Sequence, residues 1–112
     1  MSVPVLNRKL VLEAPERVAD GAGGFVHSWL ALGEVWAQMS PGTGVERAGE
    51  FVTLASVPWK IVVRGASEGS PRRPLPEQRF RDGARVFRIL AVAEYDLAGH
   101  YLTCFSREEV VA

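Results

Sequence analysis

Four arginines, Arg72, Arg73, Arg79 and Arg81, stand within one short stretch of the chain. Guanidinium groups gathered this way suit the phosphates of a nucleic-acid backbone or the carboxylates of a neighbouring protein. The segment from Lys60 to Arg88 holds eight basic residues against three acids, Glu68, Glu77 and Asp82. It carries a net charge of +5, and because the whole chain is neutral the remainder carries −5. A segment of one sign in a neutral chain can line a shared surface in an assembly. Phe80 is the only aromatic between 65 and 82, so base stacking is not supported, whereas attraction to a charged backbone is.

Other reactive residue types form no catalytic set. His27 and His100 are the only histidines, and neither stands at metal-ligand spacing from a cysteine or carboxylate. Cys104 is the single cysteine, which rules out an intrachain disulfide; it lies among apolar residues and reads as a small buried hydrophobe. Asp96 and His100 are four apart, but on an expected turn, where they serve turn chemistry. The glycine-rich run Gly21-Ala22-Gly23-Gly24 lacks the Lys-Ser/Thr ending of a phosphate cradle and runs into a strand rather than a helix. No catalytic residue, metal site or cofactor is expected, and the chain is not expected to be an enzyme.

These residues need a scaffold, and the periodicity supplies one. The pattern predicts strands near 7–13, 25–30, 34–39, 57–64, 85–93 and 100–106. Leu10 and Leu12 share one face of the first, which Pro15 is expected to end. Gly21, Gly23 and Gly24 supply a tight reversal after Asp20. Leu30–Gly33 reads as a connection between two runs carrying Trp29 and Trp36. Thr43-Gly44-Val45-Glu46 has the form of a capping box, and with Val45, Ala48, Val52 and Ala55 it predicts a helix near 44–54. Pro58 lacks a donor and places the next strand's start at an edge or bulge. A long Pro- and Arg-rich loop is expected over 65–82. Phe87, Ile89 and Ala91 alternate with Val86, Leu90 and Val92, so that strand reads as central. Trp29, Trp36, Phe87 and Ile89 are the expected structural core. If buried, Trp36 should lose about 3–5 kcal/mol on truncation to alanine.

The expectation is therefore a mainly β, single-domain chain over 1–112, a small antiparallel β-barrel or sandwich of about six strands with one short helix. Its 112 residues, 47% hydrophobic and 23% charged, are those of an ordinary globular domain. The start, Met1-Ser2-Val3-Pro4, lacks the charged and apolar regions of a signal peptide, and no run reaches the roughly 20 apolar residues of a membrane helix. Synthesis in a cytoplasm, without membrane contact, is the expectation.

Several motifs in order complete the reading: Asn7-Arg8-Lys9-Leu10-Val11-Leu12, then Asp20-Gly21-x-Gly23-Gly24-Phe25 with Trp29, then Val35-Trp36-Ala37, then Gly44-x-Glu46-Arg47, a β run ending in Arg64, and Asp82-Gly83-x-x-Val86-Phe87-x-Ile89-Leu90. Over roughly 6–105 this series resembles the bacteriophage head–tail joining family, also called head-closure or stopper proteins, found in tailed phages, prophages and gene transfer agents. The resemblance implies a small β-barrel with a helix, assembled as a homo-oligomeric ring of six or twelve copies in the particle neck. It implies an adaptor or portal ring on the head side and a tail terminator ring on the tail side. It also implies closure of the DNA exit channel after packaging and a docking surface for the tail. Arg72, Arg73, Arg79 and Arg81 would then meet packaged double-stranded DNA or a neighbouring ring. Two features depart from the family pattern, the longer 65–78 segment with three prolines and Pro58-Trp59-Lys60 at the start of the fourth strand. The alternatives are a portal-binding adaptor of the same neck and a small nucleic-acid-binding β-barrel.

Overall fold

The computed structural model describes residues 3–42 and 56–109. Six strands form in chain order: β1 (Arg8–Ala19), β2 (Phe25–Pro41), β3 (Ser56–Arg64), β4 (Arg79–Asp82), β5 (Arg85–Glu94) and β6 (Tyr101–Glu109). Every neighbouring pair is antiparallel, and the order β1-β2-β3-β6-β5-β4 closes on itself through β4 against β1. The predicted helix near 44–54 lies outside the described residues.

The barrel interior is filled by one inward face of each strand, as the two-residue period requires. Leu10 and Leu12 come from β1, Ala37 from β2, Ile61 and Val63 from β3, Phe80 from β4, Phe87 and Ile89 from β5, and Leu102 and Cys104 from β6. Burial pushes the Cys104 thiol up to about 12, so it stays protonated and packs as a hydrophobe. Phe87 meets Trp59 edge to face, with ring centroids 6.1 Å apart.

Four expectations are corrected here. Pro15 does not end β1, which runs on to Ala19. Beyond Glu13 its second edge has no strand beside it among the described residues, an edge position of the kind that tolerates a residue without an N–H. Leu30–Gly33 is not a connection. β2 is continuous, and the irregularity is a bulge: Leu12 faces Gly33 and Glu13 faces Ala31, which leaves Leu32 as the extra residue. Gly33 holds φ +147° there, a conformation closed to most side chains. The loop ends at 78, because Arg79–Asp82 forms the short strand that closes the barrel, with Phe80 inward and Arg79 and Arg81 outward. In β5 a second bulge between Ile89 and Ala91 shifts the pattern, so Val92 packs toward the core while Leu90 is exposed. β6 stays in the sheet as far as Glu109, which pairs with Ser56 and Val86.

Candidate assembly surface

β4 reaches along β1 only from Val11 to Glu13, and β3 reaches along β2 only from Ala37 to Pro41. Among the described residues, 14–19 and 25–30 therefore leave the barrel as a two-stranded arm paired only to each other, in register from Ala14 opposite Leu30 to Ala19 opposite Phe25. The turn at its tip is built by Asp20. The Ala22 and Gly24 N–H groups donate to Asp20 Oδ1 at 2.8 and 3.0 Å, and the Asp20 N–H donates to the Gly24 carbonyl at 3.1 Å. Gly21 and Gly23 supply the positive φ angles, +81° and +87°. Those two backbone donors hold the Asp20 carboxyl below its ordinary value, so it is ionised at neutral pH.

The arm bears apolar side chains on both faces. Phe25 and Trp29 point to one, Val26 and Leu30 to the other, with Val18 across from Val26. Phe25 is 55% exposed, Val26 53% and Leu30 52%. A two-stranded ribbon in water is marginal by itself, and one with two bare apolar faces gains its stability from something laid against it. The spacing of Phe25 and Trp29 predicts a shared face but not this exposure; Trp29, expected in the core, lies at the surface on the arm's flank.

At the root of the arm a polar stack fixes its angle to the barrel. Arg79 Nε donates to Glu13 Oε1 at 2.7 Å and Arg81 Nε to Glu13 Oε2 at 2.8 Å, while the Arg79 guanidinium lies 4.0 Å from the Trp29 ring centroid. Glu13 is only 5% exposed. Burial alone would raise its carboxyl, but the bonds and charges of the two arginines outweigh that and hold it low. Two of the four arginines expected to meet DNA or a neighbouring ring are thus already matched by a carboxylate of their own barrel. Sequence reasoning missed Glu13; the available signal was a lone carboxylate closing an apolar run, set against two arginines spaced to share a strand face. Glu13→Gln should destabilise the chain by about 1–2 kcal/mol in urea unfolding, since the arginines keep partial access to water. An unchanged midpoint would mean the stack contributes nothing.

The other two arginines lie in 65–78, which is strapped down rather than free. Gly65 N–H donates to the His100 carbonyl at 2.7 Å, Glu77 N–H to the Ile89 carbonyl at 3.0 Å, and Ile89 N–H to the Gln78 carbonyl at 2.9 Å. Arg73 Nη1 donates to the Ala66 carbonyl at 2.9 Å, so Arg73 serves as a strut within the segment. Arg72 is exposed and, with Arg64, edges a cavity of about 570 Å³ whose apolar lining includes Leu6, Val35, Trp36 and Val63. Neither arginine has an ion pair among the described residues.

Trp36 is not core. It stands on the outer face of β2, 54% exposed at the cavity rim, with Lys9 Nζ 6.0 Å from its ring centroid. The reason is the strand period: Val35, Ala37 and Met39 face inward, so Trp36 faces out. Trp36→Ala should therefore cost less than about 1 kcal/mol in thermal unfolding, well below the value for a buried tryptophan. A loss of 3 kcal/mol or more would restore it to the core.

A further polar cluster seals the opposite side. Arg85 makes two bonds to Glu108, at 2.8 and 3.0 Å, and Trp59 Nε1 donates to Glu108 Oε1 at 3.0 Å. The bonds from Arg85 hold the Glu108 carboxyl low despite its partial burial. Glu13, Asp20 and Glu108 are all lowered in the folded chain. Each carboxylate thus adds stability that is present above its unfolded value and lost as pH falls through its lower folded value. Melting temperature should hold level from neutrality down to about pH 5 and fall steadily below pH 4. A melting temperature that rises on acidification in that window would contradict the sign. His100 Nδ1 lies 3.3 Å from Asp96 within the 95–100 turn, where Asp96 also accepts from the Tyr101 N–H at 3.1 Å. Among the described residues no three His, Cys, Asp or Glu side chains come close enough to hold a metal ion.

No curated protein matches the chain. A chain of the virion of a native gene transfer agent particle is similar to it at 70% identity, with a TM-score of 0.80, over 98% of this chain and 100% of that one. The model of the phage head completion protein family matches residues 1–109. With its motifs, closed six-stranded sheet and near-complete match in agreement, the chain belongs to the phage head completion protein family.

Proposed function

We propose that this chain is a structural neck protein of a phage or phage-like particle, a gene transfer agent, and works without catalysis. It forms a ring between the portal or adaptor ring and the tail terminator ring, closes the DNA exit channel after packaging, and presents the surface on which the tail docks. The arm of 14–30 carries this reading, because apolar side chains bare on both faces call for protein on both sides, as a subunit in a ring has. Family membership and the likeness to a virion chain support it.

Arg72 and Arg73, held by the strapped 65–78 segment, meet the DNA or an adjacent subunit. Arg79 and Arg81 contribute there only through the charge left over from Glu13. The same pairing weakens the reading as a free nucleic-acid-binding barrel, which needs cations open to phosphate. Particles made without this protein should hold heads that leak DNA and lack tails, and restoring the chain should restore both. Full, tailed particles in its absence would overturn the proposal, as would retention of DNA by the isolated chain in a gel shift with a steep salt dependence. Deleting 68–78 tests the segment: intact DNA retention and tail joining would remove it from channel closure.

A further inference from the structure

The arm and the cavity lie on one chain but cannot meet within it. From Gly24 to Val35 the extended strand spans about 35 Å, so the tip stands far from the cavity that Val35 lines. Their surfaces nonetheless match. The cavity pairs an apolar lining, Leu6, Val35, Trp36 and Val63, with two cations that have no ion pair among the described residues, Arg64 and Arg72; the one carboxylate on its lining, Glu34, is matched by Lys9 at 3.7 Å. The tip pairs exposed apolar Phe25 and Val26 with an ionised carboxylate, Asp20, and exposed Glu16 nearby; the Arg17 guanidinium lies 4.0 Å from the Phe25 ring centroid and leaves the ring more than half exposed. Both hydrogen bonds from the turn go to Asp20 Oδ1, not Oδ2. The β2 edge beside the cavity is also open among the described residues: pairing with β3 begins only at Ala37, so Glu34, Val35 and Trp36 have no described strand on that side.

We propose that the arm tip, 20–26, seats in the cavity of a second copy of this chain, with Asp20 opposite Arg64 and Arg72 and Phe25 against Trp36 and Val35. This rests on the ring reading and names its contact. Because arm and cavity are different surfaces, the contact is head to tail, the type that propagates around a ring instead of stopping at a dimer. Apolar contact supplies adhesion, and the charge pair sets the register.

The test uses assembled particles carrying Ala22→Cys and Ala66→Cys, treated with a short bismaleimide. Ala22 is at the tip, Ala66 lines the cavity, and buried Cys104 does not compete. The expected product is a ladder of covalent oligomers extending past the dimer, absent from either single variant. A ring visible by electron microscopy that gives no adduct would overturn this contact and leave the ring reading standing. Particles holding this chain as a single copy would overturn both. Charge reversal provides a second measurement that does not depend on cysteine placement. Arg72→Asp should lower the yield of tailed particles about tenfold, whereas Arg72→Lys, which keeps the charge, should hold it near the parent value; Asp20 stays in place because its carboxylate builds the turn. An unchanged yield with Arg72→Asp would also overturn the contact.

Discussion

A chain carrying Phe25→Ser and Leu30→Ser should fold as the parent does and fail to enter particles. Both residues are more than half exposed, one on each face of the arm, so their loss should cost the isolated chain only about 0.5 kcal/mol per site. In the proposed ring the same side chains would be buried against neighbours, so the expected effect on assembly is much larger. Removing an apolar side chain from a formed contact loses roughly 1.5–3 kcal/mol. Two such losses per subunit amount to a drop on the order of a hundredfold or more in incorporation. Thermal melting of the purified chain and the content of this protein in purified particles check the two halves. Normal incorporation would show that the arm contacts nothing in the particle. A collapsed melting temperature would show instead that its apolar faces are internal to the fold.

Phe87→Ala should do the reverse, crippling the subunit itself. Phe87 is fully buried, pairs across the sheet with Phe80, and meets Trp59 edge to face. Truncation removes its transfer energy, opens a cavity between β4 and β6 and leaves the Trp59 edge without its partner, a loss of about 3–5 kcal/mol. The Arg85 guanidinium, 5.0 Å from the Phe87 ring centroid, loses its platform as well. Against a total of about 5–15 kcal/mol for such a domain, much of the margin disappears. Urea unfolding followed by tryptophan fluorescence reads the change directly. A shift under 1 kcal/mol would mean the barrel interior repacks freely around position 87.

These two variants separate what local pattern reveals from what it hides. Alternation in Leu10 and Leu12 and in Phe87 and Ile89 marked the inward faces, and all four are in the core. The buried Cys104 and the reversal after Asp20 were legible for the same reason: each depends on residues close in sequence. The count of six strands agrees only because 25–30 and 34–39 merge into β2 while β4 replaces the end of the expected loop. Trp36 misled because a large aromatic invites burial, while its own neighbours Val35 and Ala37 had already assigned it outward. The 65–82 loop was drawn too long because Arg79-Phe80-Arg81-Asp82 has only one apolar residue. A four-residue strand becomes stable only with β1 and β5 on either side.

By itself the sequence determined a small mainly β domain, its family and the inward residues of most strands, because side-chain period and turn chemistry act within a few residues. Only the tertiary structure decided which charges are matched and which apolar groups are left bare. Arg79 and Arg81 are matched by Glu13, more than sixty residues away, once β4 lies beside β1. The arm stands free because β3 and β4 stop short of it. Pair energies of charges and exposure of apolar surface depend on distance in space, which strand order sets and local sequence does not carry.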